Sequence, residues 1–202
     1  MALLKKSAIS TEAPIQSRSL DELLLAFNDG DAAQRKGAAR ELAAFPQAAG
    51  SLSEKLRSEK DAAVSAAILT ALIKIGTTDA VINLVPYLHS ENVRLRSDVI
   101  VALQQMHEAV VPFMASLLGD DDHDIRIFAI NVLAGVRDAR VPPLLLRVIE
   151  HESHINVWAA AIDALSEIGT ADMVPAIEAS ARRFDNDYGR FAANFAIQRI
   201  LG

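Results

Sequence analysis

One layout returns six times along this chain, every 30 to 32 residues. Arg35, Ser65, Arg96, Arg126, Trp158 and Arg190 share a slot, spaced by 30, 31, 30, 32 and 32 residues. Four positions before it stand Asp31, Asp61, Asn92, Asp122, His154 and Asn186. Five of these six are Asp or Asn, whose side-chain oxygens accept from the free N–H groups at a helix start. Three positions after the slot come Ala38, Ile68, Val99, Ala129, Ala161 and Ala193. Seven after it come Leu42, Leu72, Leu103, Leu133, Leu165 and Ile197, and ten after it Phe45, Ile75, Met106, Val136, Ile168 and Ile200. Offsets of 0, 3, 7 and 10 lie on one face of an α-helix. A repeat of this length cannot bury its apolar stripe alone, so neighbouring repeats must stack.

The spacing predicts an all-α right-handed superhelix, a solenoid of about six helix pairs over residues 19–202. Residues 1–18 show no helical period and read as a tail, with Leu3-Leu4 beside Lys5-Lys6. The pairs fall at 20–27 with 32–45, 47–57 with 62–75, 79–88 with 93–106, 109–118 with 123–136, 139–150 with 155–168, and 171–183 with 187–201. Ser19 with Glu22 makes a capping box. Gly76 and Gly169 stop helices. Pro112, Pro142, Pro143 and Pro175 sit in first turns, where a missing N–H is harmless. Pro86 lies deep inside its helix and should bend it.

Composition agrees and removes several chemistries. Apolar residues are 51% of the 202, aromatics only 5%. Alanine-rich, aromatic-poor chains suit close-packed helices. Net charge is −6, which disfavours nucleic acid as a partner. Without cysteine there are no disulfides or thiolate sites, which fits a reducing compartment. The first residues lack the apolar run of a signal peptide, and 62–73 is too short to span a membrane. A cytoplasmic protein follows as the expectation.

The turn Asp, the following Arg and the Ala/Leu-rich second helix resemble the HEAT-like repeat family. Asn92-Val93-Arg94, Asp124-Ile125-Arg126 and Ala164-Leu165-Ser166-Glu167-Ile168-Gly169 carry the likeness. It covers residues 19–202 and is nearest the short bacterial form first described in phycobilin lyases. The resemblance implies that second helices line the concave side. It also implies that the Arg of one repeat pairs with the capping Asp of a neighbour, a ladder broken at Ser65 and Trp158. The superfamily includes a metal-dependent hydroxylase with His-Glu pairs inside its helices. His107-Glu108 and His151-Glu152 occupy helix ends instead, so no metal site is carried over. His89, His123, His151 and His154 all fall in acidic turns, which read as solvated edges with a cation as the sharper alternative.

No nucleophile–base constellation and no glycine-rich phosphate loop is visible, so the reading is non-catalytic and without a cofactor. The positions two, five and nine after the repeat slot point away from the core. Their central stretch is apolar or small, with Val101, Phe128, Gly135 and Ala160, and Trp158 alongside. Either deep curvature packs these residues against their own neighbours, or they form an apolar groove for a partner, whose candidate residues are Val101, Gln105, Phe128, Asn131, Trp158 and Asp163. The last helix carries Phe191 and Phe195. Either these rings fold over the end of the core as a lid, or they form an interface, a homodimer or a partner's seat. The expected role is a bacterial interaction scaffold or adaptor that holds a protein in its concave face. The alternative is a lyase-like or chaperone-like protein holding a tetrapyrrole or other planar ligand, for which copurified colour discriminates.

Overall fold

The computed structural model describes residues 18–184 and 186–202. Of the expected tail, Arg18 alone falls among them, and it is tied to the array. Its guanidinium donates to both carboxylate oxygens of Glu41, at 3.2 and 2.5 Å. The rest of that tail lies outside the described residues.

The described residues form twelve α-helices and no strand. The helix pairs are α1 (Leu20–Asp29) and α2 (Ala32–Leu42), α3 (Ala49–Leu56) and α4 (Ala62–Ile75), α5 (Thr78–Leu84) and α6 (Val93–Gln104), α7 (Val111–Leu117) and α8 (His123–Ala134), α9 (Val141–His151) and α10 (Ile155–Ile168), and α11 (Val174–Ala181) and α12 (Asp187–Leu201). Their ends are set locally. Ser19 with Glu22, and Asp31 with Gln34, form complete capping boxes. Asp61, Asn92, Asp122 and Asn186 accept from N–H groups of the turns they start. Gly76 ends α4 in the left-handed region at φ 57°, which costs little without a Cβ. Pro86 does more than bend its helix. The α-helix stops at Leu84 and continues as a 3₁₀ turn over Val85–His89. The proline ring takes away one donor and crowds the carbonyl four residues back.

The second helices stack in one layer, each against the next from α2 to α12. Among first helices the close approaches are α3 to α5 and α9 to α11. The second-helix layer is therefore the tighter, inner side of the array. Its small buried residues, among them Ala38, Ala71, Ala102, Ala129, Ala161 and Ala193, let backbones approach. The columns three and seven after the repeat slot form the core: all twelve residues are buried except half-buried Ile197. Each such leucine contributes about 1.5–3 kcal/mol by leaving water.

The inter-repeat ladder differs from the one the resemblance implied. The arginine pairs with a glutamate two residues before the cap of the next repeat, and not with the capping Asp. Arg35 meets Glu59 through two bonds of 2.8 and 3.0 Å, and Arg126 meets Glu152 through two of 2.9 and 3.2 Å. Each arginine also donates to a carbonyl of its own turn, Gly30 or Asp120. The same carboxylates cap the following helix. Glu59 accepts from the N–H groups of Lys60 and Asp61, and Glu152 from those of Ser153 and His154. That explains how α10 starts on His154, whose side chain makes no capping bond. Ahead of Arg96 the glutamate's place is taken by the shorter Asp120, which accepts from the Asp122 N–H and makes no bond to the arginine. Arg96 donates to the Ser90 carbonyl, and its guanidinium lies 4.8 Å over the Phe128 ring.

This ladder is pH-sensitive in a definite direction. The Arg35 hydrogen bond, against burial, holds the Glu59 carboxyl down to about 2 from an ordinary 4.5. Burial pushes the Glu152 carboxyl up, but Arg126 and the His154 N–H outweigh it and leave it below its ordinary value. A carboxyl depressed in the folded state adds stability that is complete above its unfolded value and is lost as pH falls through the folded one. The Glu59 contribution is thus whole above pH 4.5 and disappears toward pH 2. The thermal midpoint of the wild type is expected to fall more steeply across that window than that of Glu59→Gln. Parallel curves for the two proteins would contradict the assigned pairing.

Candidate functional site

The inner surface of the array is built from the second-helix face opposite the core stripe. Five positions after the repeat slot stand Arg40, Thr70, Val101, Asn131, Asp163 and Phe195, all exposed. Nine after it stand Ala44, Lys74, Gln105, Gly135, Glu167 and Arg199, also all exposed. These two columns are the open floor. The column two after the slot is different: Ala67 is buried, and Gly37, Phe128, Ala160 and Ala192 are half-buried. Helix neighbours close over that edge because it turns toward the preceding repeat, as Phe128 does toward Arg96.

Of the six groove residues expected from the sequence, Val101, Gln105, Asn131 and Asp163 lie on the floor, with Val101 at 52% exposure. Phe128 stands in the wall between α6 and α8, half-covered under the Arg96 guanidinium. Trp158 is not in the groove at all. Its exposure is 0%. The ring packs on Phe184 at 4.9 Å between centroids, and its Nε1–H donates to Ser180 Oγ at 3.0 Å. The repeat slot points between repeats, where Arg35 and Arg126 reach a glutamate. In the fifth repeat an aromatic pair replaces that ion pair: Trp158 stands for the arginine and Phe184 for the glutamate.

The last helix has two unlike faces. The end of the array, where a seventh repeat would stack, carries Glu178, Arg182, Arg190 and Asn194 around Ala193 and Ile197. This is the polar end that a terminal repeat requires. Phe191 and Phe195 do not fold over it, so the lid expectation fails. They lie on the inner surface with Tyr188: Tyr188, Phe191 and Phe195 stand at i, i+3 and i+7 and are 55%, 69% and 44% exposed. The two phenyl rings are 6.2 Å apart and nearly parallel. With α10 they bound a cleft of about 530 Å³ lined by Ala159, Ala160 and the buried Ser166, with exposed Asn156 and Asp163 on its rim. Asn156 and Ala159 were not singled out from the sequence. The signal was present, because two before and one after the repeat slot fall on the same open face.

Charge is sorted along this surface. Arg40 and Lys74 stand on the floor in the first two repeats, while Asp98, Asp163 and Glu167 follow from the third to the fifth. Asp98 pairs with Arg94 at 3.9 Å and Glu167 with Arg199, which leaves Asp163 as the carboxylate of this set without an ion-pair partner among the described residues. His123 stacks on His154 at 4.2 Å, and among the described residues no three His, Cys, Asp or Glu side chains gather as a metal would need. No described helix is long and apolar enough to cross a membrane.

Among curated proteins none matches this chain. Solved structures of similar shape include an archaeal HEAT-like repeats protein from Thermococcus onnurineus, at 16% identity over 88% of this chain and 85% of that one, with a TM-score of 0.45. A computationally designed armadillo repeat protein for modular peptide recognition matches at 17% identity, 90% and 100% coverage and a TM-score of 0.44. A chain of the phycocyanin lyase complex from Nostoc sp. matches at 14% identity, 96% and 100% coverage and a TM-score of 0.38. The family profile for HEAT repeats matches residues 20–104 and 110–198, almost the whole of the paired-helix array. Those are the helices whose slots, caps and stacked layers have just been described, and the chain belongs to the HEAT repeat family.

Proposed function

We propose that this chain is a non-catalytic scaffold that holds a segment of another protein along its inner surface. The observation that carries the reading is the open floor itself. Exposed side chains, from Arg40 and Lys74 through Val101 and Asn131 to Phe195, run across successive repeats, so an elongated partner meets one residue after another. A photo-reactive residue placed at Val101 tests it against one placed at Arg147, which is exposed on a first helix. Crosslinks to the same protein from Val101 and not from Arg147 are the expected result. Affinity for that protein should then fall about tenfold or more in Val101→Lys, with the circular dichroism unchanged. Crosslinking from Arg147 alone, or equal affinity in Val101→Lys, would remove the inner surface from the reading.

A planar apolar ligand is the second reading, and the aromatic cleft between α10 and α12 favours it, since its volume is that of a small-molecule site. Visible absorbance that copurifies with the wild type and is lost in Phe195→Asp would establish it in place of the first.

A further inference from the structure

We infer that the cleft between α10 and α12 receives a partner segment in which a large apolar side chain neighbours a lysine or arginine. The inference rests on the scaffold reading and specifies its partner. Tyr188, Phe191 and Phe195 present the apolar wall, and Ala159 and Ala160 leave the floor shallow enough to admit an incoming side chain. Three aromatic rings left this open at one point of a surface mark an anchor position.

The charge beside the anchor selects its neighbour. Asp163 is exposed on the rim of the same cleft, and its carboxylate has no protein partner among the described residues. Glu167, four residues on, is already neutralised by Arg199, which also lies 5.7 Å over the Phe195 ring. The cations free on the inner surface, Arg40 and Lys74, stand at the opposite end of the array. An acidic neighbour would therefore be repelled at the cleft, and a basic one gains a carboxylate beside apolar walls that limit its screening. Asn156 on the rim offers an amide to the incoming main chain. A second copy of this chain fits less well. A two-fold contact of this face with itself would bring two Asp163 carboxylates into one apolar interface whose nearby Arg199 is already paired with Glu167.

The test uses the full chain and labelled peptides on a common Gly/Ser frame, each with one tryptophan flanked by lysines, by glutamates or by serines. Fluorescence anisotropy is expected to show the lysine peptide binding about five- to tenfold tighter than the glutamate peptide, the scale of one or two exposed charge contacts. High salt should erase that preference, Asp163→Lys should reverse it, and Phe195→Ser should abolish binding of both. Phe195 and Asp163 are exposed, so both variants are expected to keep the wild-type circular dichroism. Equal or tighter binding of the glutamate peptide, a lysine preference that survives Asp163→Lys, or binding of no tryptophan peptide above the bare frame would overturn the inference. Light scattering that finds twice 21.8 kDa, returned to the monomer mass by Phe195→Ser, would give the cleft to a second copy and overturn it too. None of these results touches the scaffold reading, which stands or falls on the crosslinks from Val101.

Discussion

Trp158→Ala is expected to lower the unfolding free energy by about 3–5 kcal/mol, the largest single effect at any position discussed. Trp158 is among the largest fully buried side chains of the array. Its removal leaves a void between the fifth and sixth repeats, strips Phe184 of its ring contact and leaves Ser180 Oγ without its donor. Ser180 keeps its own bond to the Ile177 carbonyl, so the hydroxyl adds little to the cost. Urea denaturation followed at 222 nm measures it. Because stability in a stacked array is close to a sum of repeats and interfaces, the sixth repeat should also loosen first. Hydrogen exchange should then show α11 and α12 losing protection ahead of α2 and α4. A loss below about 1 kcal/mol, within the range of surface substitutions, would mean that Trp158 is solvent-facing after all. Trp158→Arg together with Phe184→Glu is a sharper variant, since it rebuilds the Arg35–Glu59 arrangement. It should recover part of the stability that Trp158→Arg alone loses.

Leu133→Ala is expected to cost about 2–5 kcal/mol. Leu133 has 0% exposure on α8, a helix that packs on α6, α7 and α10. The void would open in the middle of the array, where helices on three sides are held by their own packing and cannot all move to fill it. Denaturation curves again give the number. A change under about 0.5 kcal/mol would show that the helical register assigned to this repeat is wrong.

The two sites differ in how far the sequence reached them. Leu133 was legible as core because its column depends only on local periodicity: the same offset holds Leu42, Leu72, Leu103 and Leu165. Caps were legible for the same reason. Asp31, Asp61 and Asn92 bond to N–H groups two or three residues away, so no distant contact decides them. Trp158 was misplaced because the side chain in the repeat slot takes its direction from the following repeat. The clue lay 26 residues on. Two before each cap the chain reads Asp29, Glu59, Ser90, Asp120, Glu152 and Phe184, so the glutamate of the ladder became an aromatic where its arginine did.

By itself, then, the sequence determined the six repeats, the starts of the second helices and the two buried columns, because each follows from interactions spanning a turn or two of helix. Tertiary packing alone decided which exposed rings share a surface. The sequence placed Phe191 and Phe195 on the last helix, and either a lid or an interface was compatible with that. Packing of α12 against α10 and α11 turned Arg190 and Asn194 to the end of the array and the two phenyl rings to its inner side. There they meet Tyr188, the alanines of α10 and the carboxylate of Asp163 from the neighbouring repeat. A helix has only one rotation about its axis that buries Ala193 and Ala196, and that rotation leaves these rings facing the groove.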